Sequence, residues 1–262
     1  MKWLLFAIIM AGLIIWWRSA HVEQNNRSTA KPKPKTPTTP TTPKSMSQCP
    51  FCGVRFPSDE GAGNYCSVAH KKAIDSRGWW GEAEWVKSPN YDERPANMPV
   101  ELVLVHHISL PPGQFSGNYI ADFFQNKLDP KAHPYFESIA DRQVSSHFLI
   151  RRNGQVQQFV SANHRAWHAG VSDFFGRERC NDFSIGIELE GTDDLPFQPA
   201  QYTSLRELVF ALKKTYPIAA YAGHSDVAPG RKTDPGIHFD WQLFSKLAEI
   251  SEKEMPYGTQ KR

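Results

Sequence analysis

An α/β domain with a mixed central β-sheet flanked by helices is what this sequence predicts, and three observations carry the prediction. From about Trp79 onward, short β-branched runs alternate with amphipathic stretches. Asn153-Gly154 separates two apolar runs, a strong short-range hairpin signal. Residues 183–190 (F-S-I-G-I-E-L-E) repeat every second position, as a strand does.

Taken in order, residues 101–106 (E-L-V-L-V-H) form a short β-branched run expected of a buried strand. Residues 118–128 place Ile120, Phe123, Phe124 and Leu128 at helical spacing. Residues 147–152 and 155–160 are the two arms of the hairpin. In 183–190, Ile185, Ile187 and Leu189 face one way, and Gly186, Glu188 and Glu190 the other. Leu205, Leu208, Val209 and Leu212 draw the stripe of a helix, and 218–222 reads as the strand that delivers His224. Asp240 is placed to cap a final helix carrying Phe244, Leu247 and Ile250.

Ahead of this domain (79–255, with a tail at 256–262) lie three smaller pieces. Residues 1–18 contain an unbroken apolar run, Trp3 to Trp17, fenced by Lys2 and Arg18. As a helix it is roughly 22 Å long at about 1.5 Å per residue, short for a bilayer but extendable by its flanking Trp and Arg. Arg18 stands where a small residue should precede a signal-peptide cleavage point, so an uncleaved transmembrane anchor is expected. Residues 19–46 are Pro-, Thr- and Lys-rich with nothing to bury, an extended tether. Basic residues after the span outnumber those before it, which favours an inner-membrane anchor with the globular part on the cytoplasmic side. A short amino-terminal tail staying inside would put that part in the periplasm instead.

Residues 47–78 carry Cys49 and Cys52 as C-x2-C followed by Gly53, then Cys66 and His70 at i, i+4 spacing, taken to share one face of a short helix. Three thiolates and an imidazole complete a closed tetrahedral set, so a structural Zn2+ module is expected. Reduced core cysteines are the simpler alternative, and a thioredoxin-like role lacks its βαβ surroundings. Cys180 stands alone as a free thiol, and four cysteines in 262 residues do not make a disulfide scaffold.

The net charge of +3 is unevenly spread. Seven of the 30 Lys and Arg residues but one of the 27 Asp and Glu residues fall before position 46. The folded part is therefore mildly acidic and has no electrostatic footprint for nucleic acid.

Chemistry concentrates in 223–236, G-H-S-D-V-A-P-G-R-K-T-D-P-G. Imidazole and carboxylate are common ligands of a catalytic zinc with one open position, and a lysine two residues before the aspartate can stabilise negative charge beside it. A polar surface turn is the alternative. Glu188 lies mid-strand opposite the aliphatic side, where a carboxylate near a metal could take a proton from water. His106 ends the first strand and His107 points oppositely, and spacing alone does not choose between them.

V-H-H-I-S-L-P-P-G-Q-F, D-P-K-A-H-P-Y-F, R-A-W-H-A-G-V-S, G-R-E-R-C-N-D-F-S-I-G-I-E-L-E-G-T-D and G-H-S-D-V-A-P-G-R-K-T-D-P-G stand in an order and spacing that resembles the AmpD-type N-acetylmuramoyl-L-alanine amidases, over about 79–247. The resemblance implies the zinc amidase fold shared with peptidoglycan recognition proteins and phage T7 lysozyme. It implies zinc-dependent cleavage of the amide between N-acetylmuramic acid, preferentially its 1,6-anhydro form, and L-alanine in muropeptides for cell-wall recycling. It implies His106, His224 and Asp234 as catalytic Zn2+ ligands, Glu188 as general acid/base and Lys232 as electrophilic helper. Tyr135, Trp167 and Arg179 fall where the family lines its substrate groove. This chain departs from the family at His107, where asparagine is common, and at Gln143, where a basic residue is common; both bear on ligand preference. A monomer is expected. Two other functions are consistent with the fold: a periplasmic amidase acting on intact wall, and a non-catalytic muropeptide-binding protein, the latter disfavoured by the joint presence of His106, His224, Asp234, Glu188 and Lys232.

Overall fold

Six strands make the central sheet of the computed structural model, which describes residues 45–260. The expected anchor and nearly all of the tether lie outside the described residues. Among the described residues no helix is long and apolar enough to cross a membrane. Two short strands, β1 (Met46–Gln48) and β2 (Arg55–Pro57), pair antiparallel ahead of helix α1 (Val68–Lys71). Then come β3 (Glu84–Trp85), β4 (Leu102–Ile108), α2 (Tyr119–Phe124), β5 (Phe148–Ile150), β6 (Val156–Gln158), β7 (Ser184–Glu190), α3 (Pro199–Thr215), β8 (Ala220–Gly223), α4 (His224–Val227) and α5 (Trp241–Leu247). The sheet order is β8-β4-β7-β5-β6-β3. It is mixed because the β5–β6 hairpin is antiparallel and the other pairings are parallel.

Strand β7 pairs with β4 over its whole length, Ser184 opposite Leu102 through Glu190 opposite Ile108. Paired residues share a face. One face therefore carries Val103, Val105, Ile185, Ile187 and Leu189, which pack with Leu205, Leu208, Val209 and Leu212 of α3 and with Trp241 and Phe244 of α5. The other carries Leu102, Leu104 and His106 beside Ser184, Gly186 and Glu188. The first face is the hydrophobic core. The second is polar toward the carboxyl ends of its strands, where open α/β sheets bind ligands.

Gln201 ties α3 to that end. Its side-chain amide, fully buried, donates to the carbonyls of Ile150 (3.2 Å) and Glu190 (3.1 Å) and its oxygen accepts from the Gln198 N–H (3.0 Å).

Three expectations need correction. The helix expected over 118–128 ends at Phe124, because Asn126 takes a left-handed conformation (φ +60°) that an α-helix cannot continue through; Leu128 is buried all the same. The last helix ends at Leu247, since Glu249 at φ +51° turns the chain and Ile250 packs from outside the helix. Asp240 does cap it, accepting from the Leu243 N–H at 2.8 Å. Cys66 precedes α1 rather than sharing its face with His70, because Ser67 is the N-cap, its hydroxyl accepting from the His70 N–H.

Replacing Gln201 with Leu should leave the Ile150 and Glu190 carbonyls unpaired in the interior and lower stability by about 1–3 kcal/mol. Urea unfolding measures this; an unmoved midpoint would show the three hydrogen bonds to be dispensable.

Candidate active site

His106 is the last fully buried position of β4 before the strand reaches the cavity, and Glu188 sits beside it on β7 in register. His224 begins α4, directly after β8, which lies on the other side of β4. Asp234 returns to the same place because its carbonyl accepts the Ser225 N–H at 2.8 Å, folding the loop 228–236 back over α4. Sequence separations of 118 and 128 residues thus close to one point. His106 Nδ1 is 3.0 Å from His224 Nδ1 and 2.9 Å from Asp234 Oδ2, and His224 Nδ1 is 3.0 Å from the same oxygen.

The proton positions on these rings follow from their outer partners. His224 Nε2 faces the Ala169 carbonyl at 2.9 Å, which only accepts, so Nε2 carries the hydrogen. Ser184 Oγ donates to the Cys180 carbonyl at 2.6 Å and so accepts from His168 Nε2 at 3.4 Å. His168 Nδ1 is then bare and accepts from His106 Nε2 at 3.0 Å. Both His106 and His224 consequently present lone pairs from Nδ1 toward a carboxylate. Burial, then the neighbouring His224, pushes the His106 pKa down to about 4, so its ring is neutral at pH 7. Burial alone would raise Asp234, yet with His106 and His224 beside it its carboxyl stays well below the usual carboxylate range and is ionised.

Two imidazole lone pairs and a carboxylate aimed at one buried point repel unless a cation lies among them. The donor set is that of a catalytic zinc: three protein ligands with a further position facing the cavity.

That cavity measures about 360 Å3 and is lined by all three of these residues together with Glu188, Lys232, His107, Tyr135, Trp167 and His168. Glu188 is buried, and its Oε2 has no hydrogen-bond partner. Burial raises its pKa well above the normal value, Asp234 raises it further, and Lys232 pulls it back. An unpartnered carboxylate of raised pKa facing a cavity is suited to accepting and returning a proton. His107 is oriented by Asp193 Oδ1 at 3.0 Å, and Trp167 Nε1 donates to Asp92 at 3.1 Å. Tyr135 is 41% exposed at the rim. Arg179 is not brought to this cavity. It lies in a neighbouring cleft with Arg231, left-handed at φ +60° and paired with Asp182 at 3.2 Å.

Sequence reasoning missed the segment 167–170 as a support for the residues able to hold a metal. His168 orients His106, the Ala169 carbonyl orients His224, and Asn181 Oδ1 pins both by accepting the His168 and Ala169 N–H groups. The signal lies in Gly186: a Cβ there would come within 2.5 Å of the His168 ring, so the glycine in S-I-G-I-E-L-E makes room for it. Asp193 was also missed; it joins His107 to Thr233, next to Lys232 and Asp234.

Residues 96–237 match the family model described as N-acetylmuramoyl-L-alanine amidase. The chain belongs to that family. It is an N-acetylmuramoyl-L-alanine amidase. It is 54% identical over 162 residues to the 1,6-anhydro-N-acetylmuramyl-L-alanine amidase AmpD of Haemophilus influenzae, covering 61% of this chain and 88% of that one. Identity to the protein of the same name from Escherichia coli is 54% over 173 residues, 65% of this chain and 94% of that one. A crystal structure of an AmpD selenomethionine derivative superimposes with a TM-score of 0.64 at 55% identity, covering 66% of this chain and 97% of the other. The Cys49–His70 cluster lies outside the amidase match.

Removing the acceptor at His168 by H168L should weaken zinc binding at the His106 site by about 10–100-fold, the usual effect of losing an outer partner of a ligand histidine. H168N, which keeps an acceptor near the Nδ1 position, should recover part of it. Competition against a chromogenic chelator reads both, and equal affinity in H168L and the unaltered chain would remove His168 from the metal's support.

Proposed function

We propose that this amidase is zinc-dependent and that its substrate is the amide between N-acetylmuramic acid, preferentially in the 1,6-anhydro form, and L-alanine in muropeptides released during cell-wall recycling. The observation that carries the reading is the meeting of His106, His224 and Asp234 at one point beside the unpartnered Glu188. The choice of the anhydro form is supported by the names of the relatives at 54% identity, nearly all of whose length this chain matches.

His106, His224 and Asp234 would hold the zinc, which would supply Lewis acidity toward water and the scissile carbonyl. The chain's own residues do the rest. Glu188 accepts the proton of the attacking water and hands it to the departing alanine nitrogen, so that a neutral amine leaves. Its raised pKa makes the carboxylate a stronger base than an exposed one, better able to take the proton it then hands on. The Lys232 ammonium lies on the cavity wall and stabilises the oxyanion that develops on the carbonyl oxygen. Tyr135 and Trp167 offer aromatic faces to the sugar and its lactyl arm, and His107, held by Asp193, offers a ring nitrogen. Arg179 and Arg231, in the adjoining cleft, suit the carboxylates of a peptide that runs out of the cavity.

The N-terminal charge pattern supports a membrane-anchored enzyme whose catalytic domain faces the cytoplasm, the compartment where recycled fragments are processed. A reporter fused to the carboxyl terminus distinguishes this from a periplasmic enzyme acting on intact wall.

Purified protein should release stem peptide from 1,6-anhydro muropeptide only when zinc-loaded, losing activity in chelator and regaining it with added zinc. Full turnover by metal-stripped protein would refute the metal dependence. E188Q should lower kcat by about 10²–10⁴-fold while leaving zinc content and muropeptide binding in place; an unchanged kcat would move the general base elsewhere.

A further inference from the structure

Outside the amidase match, Cys49, Cys52, Cys66 and His70 bring four ligand atoms within 4.8 Å of one another. Cys66 Sγ is 3.0 Å from His70 Nδ1, Cys49 Sγ is 3.9 Å from the same nitrogen, and Cys52 Sγ is 3.6 Å from Cys66 Sγ. Ligands bound at zinc–sulfur and zinc–nitrogen lengths to one tetrahedral ion stand roughly 3.4–3.8 Å apart; the 3.0, 3.6 and 3.9 Å separations here scatter about that range, so an ion is reached by small side-chain adjustments. A disulfide would use two of the thiols and leave the third beside an imidazole with no task; all three are free.

The surroundings are those of a built site. Gly53 N–H donates to the Cys49 carbonyl at 2.8 Å and Cys49 N–H to the Val54 carbonyl at 2.9 Å, closing a tight turn around the first two thiols. Phe51 stacks on the His70 ring at 4.5 Å, and Ser67 caps the single turn that carries it.

The cluster also leans on the catalytic sheet. Cys49, Phe56 and Tyr65 form a small apolar cluster against which Trp85 of β3 packs. Trp80 Nε1 donates to the Lys72 carbonyl at 3.1 Å, Lys71 pairs with Glu82 at 3.3 Å, and Trp85 Nε1 donates to the Trp80 carbonyl at 2.8 Å. Gly81 permits the approach: a Cβ there would sit 2.4 Å from the Lys71 carbonyl oxygen. Strand β3 is two residues long and lies at the edge of the sheet, opposite β8. Three buried apolar residues are too few to order such a module unaided, which is the situation a structural metal resolves.

We propose that Cys49, Cys52, Cys66 and His70 bind a second, structural zinc ion, and that this ion braces the β3 edge of the amidase sheet. With four protein ligands the site leaves no position for water or substrate, so its metal does no hydrolysis.

Metal analysis of the full-length chain, in zinc and in cobalt(II), tests this apart from the catalytic reading, because only the thiolate site gives a sulfur-to-cobalt charge-transfer band. The chain should hold two ions and show the band. C52S should lose the band and one ion, and the Val86 amide, bonded to the Gln158 carbonyl next to β3, should lose its hydrogen-exchange protection. H70C, which converts the set to four thiolates, should keep the band and both ions, guarding against a variant that merely misfolds. One ion and the band, surviving H224A, would support the module while sinking the catalytic zinc. No band in the unaltered chain, or two ions and the band in C52S, would overturn the structural site; unchanged Val86 protection in C52S would overturn the brace.

Discussion

Three electron pairs directed at one enclosed point are tolerable only if positive charge occupies it, and the architecture of the amidase domain follows from that constraint. His106 and His224 cannot relieve it by turning their rings. Each Nε2 is committed elsewhere, one to His168 and one to the Ala169 carbonyl. Asp234 cannot withdraw either, because its backbone carbonyl is fastened to Ser225. The repulsion that destabilises the metal-free site is the same free energy that makes it select a cation. Burial amplifies it, since His106, His224 and Asp234 are all inside a low-dielectric wall.

The sheet supplies the rigidity this needs. Full-length parallel pairing of β4 with β7 puts Glu188 next to His106 with no intervening loop, so the distance between the two is set by strand spacing. The opposite face is packed by α3 and α5, and its register cannot slip without exposing Val103, Val105, Ile185 and Ile187. The same chain that fixes the ligands leaves Glu188 with an unpartnered oxygen. A hydrogen-bond donor to that oxygen would favour the ionised form and lower its pKa.

Function-bearing loops are layered over this frame. The segment 167–170 lies across the face that carries His106 and is held by Asn181 and Arg231. Arg94 extends the same logic, its guanidinium donating to the carbonyls of Asn181, Asp182 and Ser184 where β7 begins. At the far edge, the cysteine module covers β3, a strand too short to protect itself.

How much of this was legible depends on whether the signal was local. Period-two alternation in 183–190 and the 3.6-residue stripe in 205–212 are written in neighbouring residues, so β7 and α3 could be read with their faces correct. Helix ends were read less well, because the left-handed turns at Asn126 and Glu249 leave no strong mark in composition. Spacing left His106 and His107 undecided, and family resemblance pointed to His106; the two differ in which face of β4 they occupy, and only pairing with β7 and β8 defines what each face meets. His168 went unassigned because its partners, His106 and Ser184, are 62 and 16 residues away. Arg179, placed near substrate by resemblance, lies in the neighbouring cleft, left-handed and paired with Asp182. By itself the sequence determined which residues are able to bind zinc, move a proton and build the strands, since those are properties of side chains and local periodicity. Only the tertiary structure decided which nitrogen of each ring faces Asp234 and which carboxylate stands beside His106, because proton positions and close approaches are fixed by partners distant along the chain.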